Sequence, residues 1–150
     1  MIKLKKAQII FGIIILLVIA FIGGIEINHY QQTKRADQMQ VEIDKQINSN
    51  VTKERIDINV VNPKHINISL KGGNADDIAD ILSAGKPLKK FDFWQYLKNH
   101  VNRTDDVVQE KFGKGITVSL MDPNNPTKPL YSVRDGKVLY DKGASTTNVN

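Results

Sequence analysis

From Ile9 to Ile25 the chain reads IIFGIIILLVIAFIGGI, seventeen residues without a charged or hydrogen-bonding side chain. A surface of this kind gains free energy only where water is excluded, in a protein core or in lipid. At about 1.5 Å per residue, the run and its apolar flanks Ala7 and Ile27 reach roughly 30 Å as a helix, the thickness of a bilayer's hydrocarbon core. Nothing after residue 27 is apolar enough to cross a second time. The sequence therefore predicts one transmembrane helix over residues 7–27, with the remainder of the chain in water on one side.

The charges beside this run set its direction. Lys3, Lys5 and Lys6 crowd its N-terminal side, whereas the first bases after it are Lys34 and Arg35. Positive charge near a span favours the cytoplasm, so residues 1–6 are expected to be a cytoplasmic stub and the C-terminal portion to be extracytoplasmic in the cell membrane. A cleaved signal peptide has an apolar core of about 7–15 residues that ends in a small-x-small site. Here the core is longer, and Phe21 and Ile22 separate Ala20 from Gly23. A retained signal anchor is the expectation. Without cysteine, the chain has no residue for a thioether-linked lipid or a palmitoyl group.

The net charge of +5 and the pI near 9.4 would fit a nucleic-acid partner if the bases were clustered. They are not clustered in sequence: residues 26–150 hold 18 Lys and Arg against 16 Asp and Glu, with the signs interspersed. No nucleic-acid partner is expected, only a mildly cationic domain able to sit near an anionic surface. The lack of cysteine also removes disulfides, thiolate metal sites and thiol nucleophiles. The domain must rest on one hydrophobic core.

Residues 28–51 are polar, free of Gly and Pro, and carry Met39, Ile43, Ile47 and Val51 at steps of four. Such steps trace one stripe of a helix. A juxtamembrane helix is expected, its stripe docking on the domain or pairing with a second copy. Residues 52–141 read as an α+β domain. Ile56, Ile58 and Val60 alternate with polar residues, as do Ile66, Ile68 and Leu70, and Asn62-Pro63 lies between the two runs. Period two with a turn between predicts an antiparallel hairpin. Asn74 is the expected cap of a short helix with Ala75, Ile78, Ile81 and Leu82 inward. A second helix is expected near Asp92 with Phe93, Trp94, Leu97 and Val101, and Thr104 is expected to cap a third with Val107, Val108 and Phe112.

Strands resume at Ile116, Val118 and Leu120, and Asp135-Gly136 in YSVRDGKVLYD marks a tight type I′ hairpin. The fold class that results is α+β: a single transmembrane helix, a juxtamembrane helix, then a small antiparallel sheet of two hairpins with about three short helices on one face. The tail, residues 142–150, is small and polar and is expected to be disordered.

Residues that could carry chemistry have structural readings that fit them better. His29, His65 and His100 fall on a stalk, a turn and a helix, without metal-ligand spacing, and no metal or other cofactor is expected. Asp76, Asp77 and Asp80, like Asp105 and Asp106, sit at predicted helix starts where acids complement the dipole. Gly113-Lys114-Gly115 lacks the rest of a phosphate-loop pattern, and no serine sits in a glycine elbow. An enzyme is not expected. The most unusual stretch is KPLKKFDFWQYLK, where Lys89, Lys90, Trp94 and Tyr96 are the candidate partner surface, because aromatic anchors beside bases recur at interfaces. Core packing of the aromatics is the competing reading.

The function these features support is a single-pass membrane-anchored accessory protein whose extracytoplasmic domain binds an envelope protein or polymer without catalysis. Two alternatives stand beside it, a small envelope hydrolase and a pilin-like structural subunit. An apolar N-terminal helix continuing into an amphipathic one and then a sheet is the build of type IV pilin-like subunits. Their Gly-Phe-type processing site and early Glu are missing from Lys6-Ala7-Gln8-Ile9-Ile10-Phe11, so the likeness is one of architecture. The sequence assigns neither a partner nor an oligomeric state.

Overall fold

The computed structural model describes residues 28–45 and 56–144. The alternating stretches form strands. β1 (Ile56–Asn62) and β2 (His65–Leu70) make a hairpin in which Ile56, Ile58, Ile66, Ile68 and Leu70 are all buried. Its turn is fastened by Asn62, whose Oδ1 accepts the Lys64 N–H at 2.9 Å, the local bond that suits Asn to turns. At the other end of the domain's sequence, β3 (Thr117–Asp122), β4 (Asn125–Arg134) and β5 (Lys137–Asp141) form a meander. Asp135 and Gly136 join β4 to β5 with φ of 55° and 72°, the positive values that a type I′ turn demands at both central positions.

These two groups join into one five-stranded sheet in the order β1-β2-β3-β4-β5. The sheet is mixed, which corrects the expectation of a wholly antiparallel one: β2 and β3 run parallel, with Ile66 opposite Val118 and Ile68 opposite Leu120. The helices between them carry the chain back to the end of the sheet from which β2 started. A strand entering there can pair with β2 only in parallel.

The helices differ from the sequence reading in a second way. After β2 come α2 (Gly73–Ser83), one 3-10 turn (Leu88–Lys90) and a single long helix α3 (Asp92–Phe112) where two short ones were expected. Thr104 lies inside α3, and its hydroxyl donates to His100 O at 2.9 Å. The hydroxyl that can cap a helix start bonds here to the preceding turn, and the helix continues. Asp105 does not begin a helix either. It is buried, and its Oδ2 accepts the Gly136 N–H at 2.8 Å and the Gln109 Nε2 at 2.7 Å, so it ties α3 to the β4–β5 turn. The cap of α2 is also displaced: Gly72, at φ 57°, occupies the N-cap position in place of Asn74.

Trp94, Leu97, Val101 and Val108 of α3 are buried with the inward residues of the strands in one core. Two neighbours on β4, Leu130 and Tyr131, both enter this core. A regular strand would turn one of them out. The register shift between Leu120 and Met121, where β3 faces β4, lets both point inward. Tyr131 meets the Trp94 ring edge-on, with centroids 6.4 Å apart. The segment after β5 then closes over the indole, with Gly143 against the Trp94 ring. Lys98 pairs with Asp141 at 3.2 Å, Lys142 N–H donates to Leu130 O at 2.9 Å, and Asp141 Oδ1 accepts the Gly143 N–H at 2.8 Å. Residues 142–144 are thus an ordered turn where the sequence led us to expect the start of a disordered tail.

The helix expected over residues 28–51 is described as α1, residues 28–45, and its stripe docks on the domain itself, with Met39 and Ile43 among the most deeply buried side chains of the core. Ile47 and Val51 lie outside the described residues. Gln40 treats the outer edge of β1 as a strand would: its Nε2 donates to Ile58 O at 2.9 Å and its Oε1 accepts the Val60 N–H at 2.7 Å. Exposed edge groups of a sheet are sites of unwanted pairing, and this amide satisfies two of them. Among the described residues no helix is long and apolar enough to cross a membrane. The run expected to do so, residues 7–27, lies outside them.

Two substitutions probe these contacts, and Trp94, the sole tryptophan, reports both through its emission. A Cβ at Gly143 would collide with the Trp94 Nε1. Gly143→Ala is expected to lower the stability of the detergent-solubilised chain in urea by roughly 1–3 kcal/mol, the usual penalty of overpacking. Gln40→Ala removes both edge bonds and is expected to cost roughly 1–3 kcal/mol in the same assay.

Candidate functional site

The surface expected from the aromatic stretch separates into two parts. Trp94 is 2% exposed and belongs to the core, whereas Lys89 and Lys90 in the 3-10 turn and Tyr96 on α3 face solvent, Tyr96 at 54%. Two positions apart on a helix are about 200° apart around its axis, so the core that receives Trp94 cannot also receive Tyr96. The Tyr96 ring packs edge-on against His100, with centroids 4.5 Å apart.

A different set of side chains converges at the end of the sheet where α1 begins. There the first turns of α1, the β1–β2 turn, the connection from α3 to β3 and the end of β4 enclose an open groove of about 870 Å³. Its lining includes Arg35, Lys64, Lys114 and Arg134, together with His65 and the amides Asn28, Gln31 and Gln32, and it includes no Asp or Glu. All four bases are exposed. The three ion pairs among the described residues, Lys71–Asp57, Lys98–Asp141 and Lys142–Asp122, involve none of them.

Each base is placed by a local feature of the fold. Lys64 occupies the turn that Asn62 fastens. Lys114 stands between Gly113 and Gly115, whose φ of 88° and 89° bend the chain out of α3 and into β3. The Gly115 N–H donates to Asp135 Oδ1 at 2.8 Å, so this backbone donor is committed within the fold and the Gly-Lys-Gly segment offers a side-chain cation. Thr117 N–H donates to Lys64 O at 2.8 Å, which seals the β1–β2 turn to the start of β3. Arg134 pairs in register with Lys137, the first residue of β5. Four guanidinium or ammonium groups around one groove make a site for an anion, with Arg able to bind a phosphate or carboxylate through two parallel bonds.

On the opposite face of the sheet from the core, Asn59, Asn67, Ser119, Ser132 and Tyr140 stand in register across all five strands. Ser119 and Ser132 share a hydrogen bond of 2.8 Å there. Three of the expected helix-start acids, Asp76, Asp77 and Asp80, are exposed on α2. The histidines belong to three different elements, His29 to α1, His65 to the start of β2 and His100 to α3.

The chain matches no known protein family, and neither a curated protein nor a solved structure is significantly similar to it. The functional reading rests on the residues themselves. The groove was missed from the sequence because its bases lie at positions 35, 64, 114 and 134, far apart along the chain. The one legible signal was the Gly-Lys-Gly segment.

Burial lowers the pKa of His100 from its ordinary 6.5, and the nearby Arg103 charge lowers it further. The unfolded chain then takes up this proton more readily than the folded one, so the contribution to stability is intact above pH 6.5 and is lost as the pH falls through that value toward the lower folded pKa. Acidification from about pH 7.5 to about pH 5.5 is expected to reduce the urea midpoint, and to reduce it less in His100→Gln.

Proposed function

We propose that this chain is a single-pass membrane-anchored accessory protein whose α+β domain lies outside the cytoplasm and binds an envelope component without catalysis. The observation that carries the reading is the seventeen-residue apolar run with Lys3, Lys5 and Lys6 on its N-terminal side, a charge asymmetry that sets orientation. The structure adds support at the junction. Asn28, three residues beyond the run, already belongs to α1, and α1 is packed into the domain through Met39 and Ile43. The chain that leaves the apolar run is therefore tied into the folded body within about fifteen residues.

Support for a binding role comes from how the buried acids Asp105 and Asp122 and the half-buried Asp141 are used. Asp105 holds the β4–β5 turn, Asp122 Oδ1 accepts the Asn124 N–H at 2.8 Å, and Asp141 fastens the C-terminal turn. Each has a structural task. The groove of bases and the exposed Lys89, Lys90 and Tyr96 remain as surfaces on which a partner can be recognised.

The absence of cysteine makes topology directly measurable. Single cysteines introduced as Lys3→Cys and Asp77→Cys should differ in intact cells: a membrane-impermeant maleimide is expected to label the cysteine at 77 at once and the one at 3 only after permeabilisation. Labelling at 77 that also requires permeabilisation, or a mature protein that begins beyond Ile25 and is recovered free of membranes, would overturn the proposal.

A further inference from the structure

The cationic groove lies at the end of the domain where the chain comes off the apolar run, and this position identifies what it meets. Asn28, Gln31, Gln32 and Arg35 of α1 form one of its walls. Asn28 is three residue steps beyond Ile25, and even a fully extended chain covers at most about 3.5 Å per step. The wall of the groove therefore begins within about 10 Å of the end of the run. The headgroup layer of a bilayer extends roughly 5–8 Å beyond its hydrocarbon on each side, so the groove opens into or just above that layer.

We propose that this groove seats the phosphate headgroup of an anionic phospholipid from the bilayer that holds the anchor, so that the domain lies down on the membrane. The proposal rests on the membrane-anchored reading given above. Arg35, Lys64, Lys114 and Arg134 surround the groove without a carboxylate in its lining and without an ion pair among the described residues. Of the nearby acids, Asp135 accepts the Gly115 N–H, and Asp37 lies in the adjoining cleft between α1 and β1, outside the lining of the groove. Like charges crowded together weaken a fold, and an anion between them relieves the repulsion. Each Lys or Arg near an anionic bilayer adds about fivefold to membrane partitioning, so four add up to several hundredfold if they act independently.

An exposed side chain agrees with this orientation: Val61, beside the β1–β2 turn, is 52% exposed. Val61 and Pro63 line the cleft that adjoins the groove, and they would face lipid if the groove does.

The test uses the full chain reconstituted in vesicles with a single polarity-sensitive probe, at Val61→Cys or, as a control on α2, at Asp77→Cys. Headgroup spin-labelled lipid is expected to quench the probe at 61 in vesicles containing about 30% phosphatidylglycerol, and to quench it weakly in phosphatidylcholine alone. The probe at 77 should be quenched weakly in both. Combined Arg35→Gln, Lys64→Gln, Lys114→Gln and Arg134→Gln should abolish the difference between the two lipids, and raised salt should do the same. All four side chains are exposed, and an unchanged urea melt verifies that the variant folds.

Equal quenching at 61 in both lipids, or a fourfold variant that behaves as the parent, overturns the proposal. So does suppression by millimolar inorganic phosphate where sodium chloride of the same ionic strength has no effect, since the groove would then be selecting the free anion. Failure of the anchor itself is read separately, as extraction of the protein from phosphatidylcholine vesicles by alkaline carbonate.

Discussion

The sheet depends on the pairing of β2 with β3. It joins two segments that lie on either side of the whole helical crossover, and it places Ile66 against Val118 and Ile68 against Leu120, all of them buried in the core. Closing so long a loop costs entropy that grows only slowly with its length. The crossover that makes the loop long also supplies α3, whose Trp94, Leu97, Val101 and Val108 share that core. Seam and helix are thus mutually required. Without the helix the strands would keep an uncovered apolar face, and without the seam the chain would hold a hairpin and a meander with no common sheet.

The same arrangement explains the position of the charged groove. A parallel seam brings the start of β2 beside the start of β3, and antiparallel pairing brings the end of β4 to the same place. The turn with Lys64, the connection with Lys114 and the strand end with Arg134 therefore meet at one end of the sheet. α1 supplies the last wall because its stripe lies along β1, which sets its first turns beside the β1–β2 turn. Three of the bases become neighbours through strand direction, and Arg35 joins them through the docking of α1.

Much of the local structure was legible in the sequence because it is set by local physics. Alternation marked Ile56, Ile58, Ile66, Ile68, Leu70, Val118 and Leu120 as inward, the four-residue steps of Met39 and Ile43 marked a helix with one apolar stripe, and Asp135-Gly136 marked the tight turn between β4 and β5. What escaped was decided at a distance. Thr104 and Asp105 have the chemistry of a helix start, and only the presence of the β4–β5 turn beside α3 gives Asp105 a different role. The parallel seam leaves no mark in periodicity, since a buried strand alternates alike whichever way its neighbour runs. Nor could composition reveal the groove: a sign-balanced chain can still gather one sign at one end.

Gln40 gives α1 a meaning beyond that of a connector. Its amide occupies the Ile58 carbonyl and the Val60 N–H, which β1 would otherwise present to any passing strand, while Met39 and Ile43 fill the core behind them. The folding unit consequently includes the part of α1 that carries Met39, Gln40 and Ile43 and does not begin at the first strand. A soluble fragment trimmed to the sheet and its crossover helices would carry both a sticky margin and a hollow interior, and its behaviour would describe a damaged object in place of the parent domain.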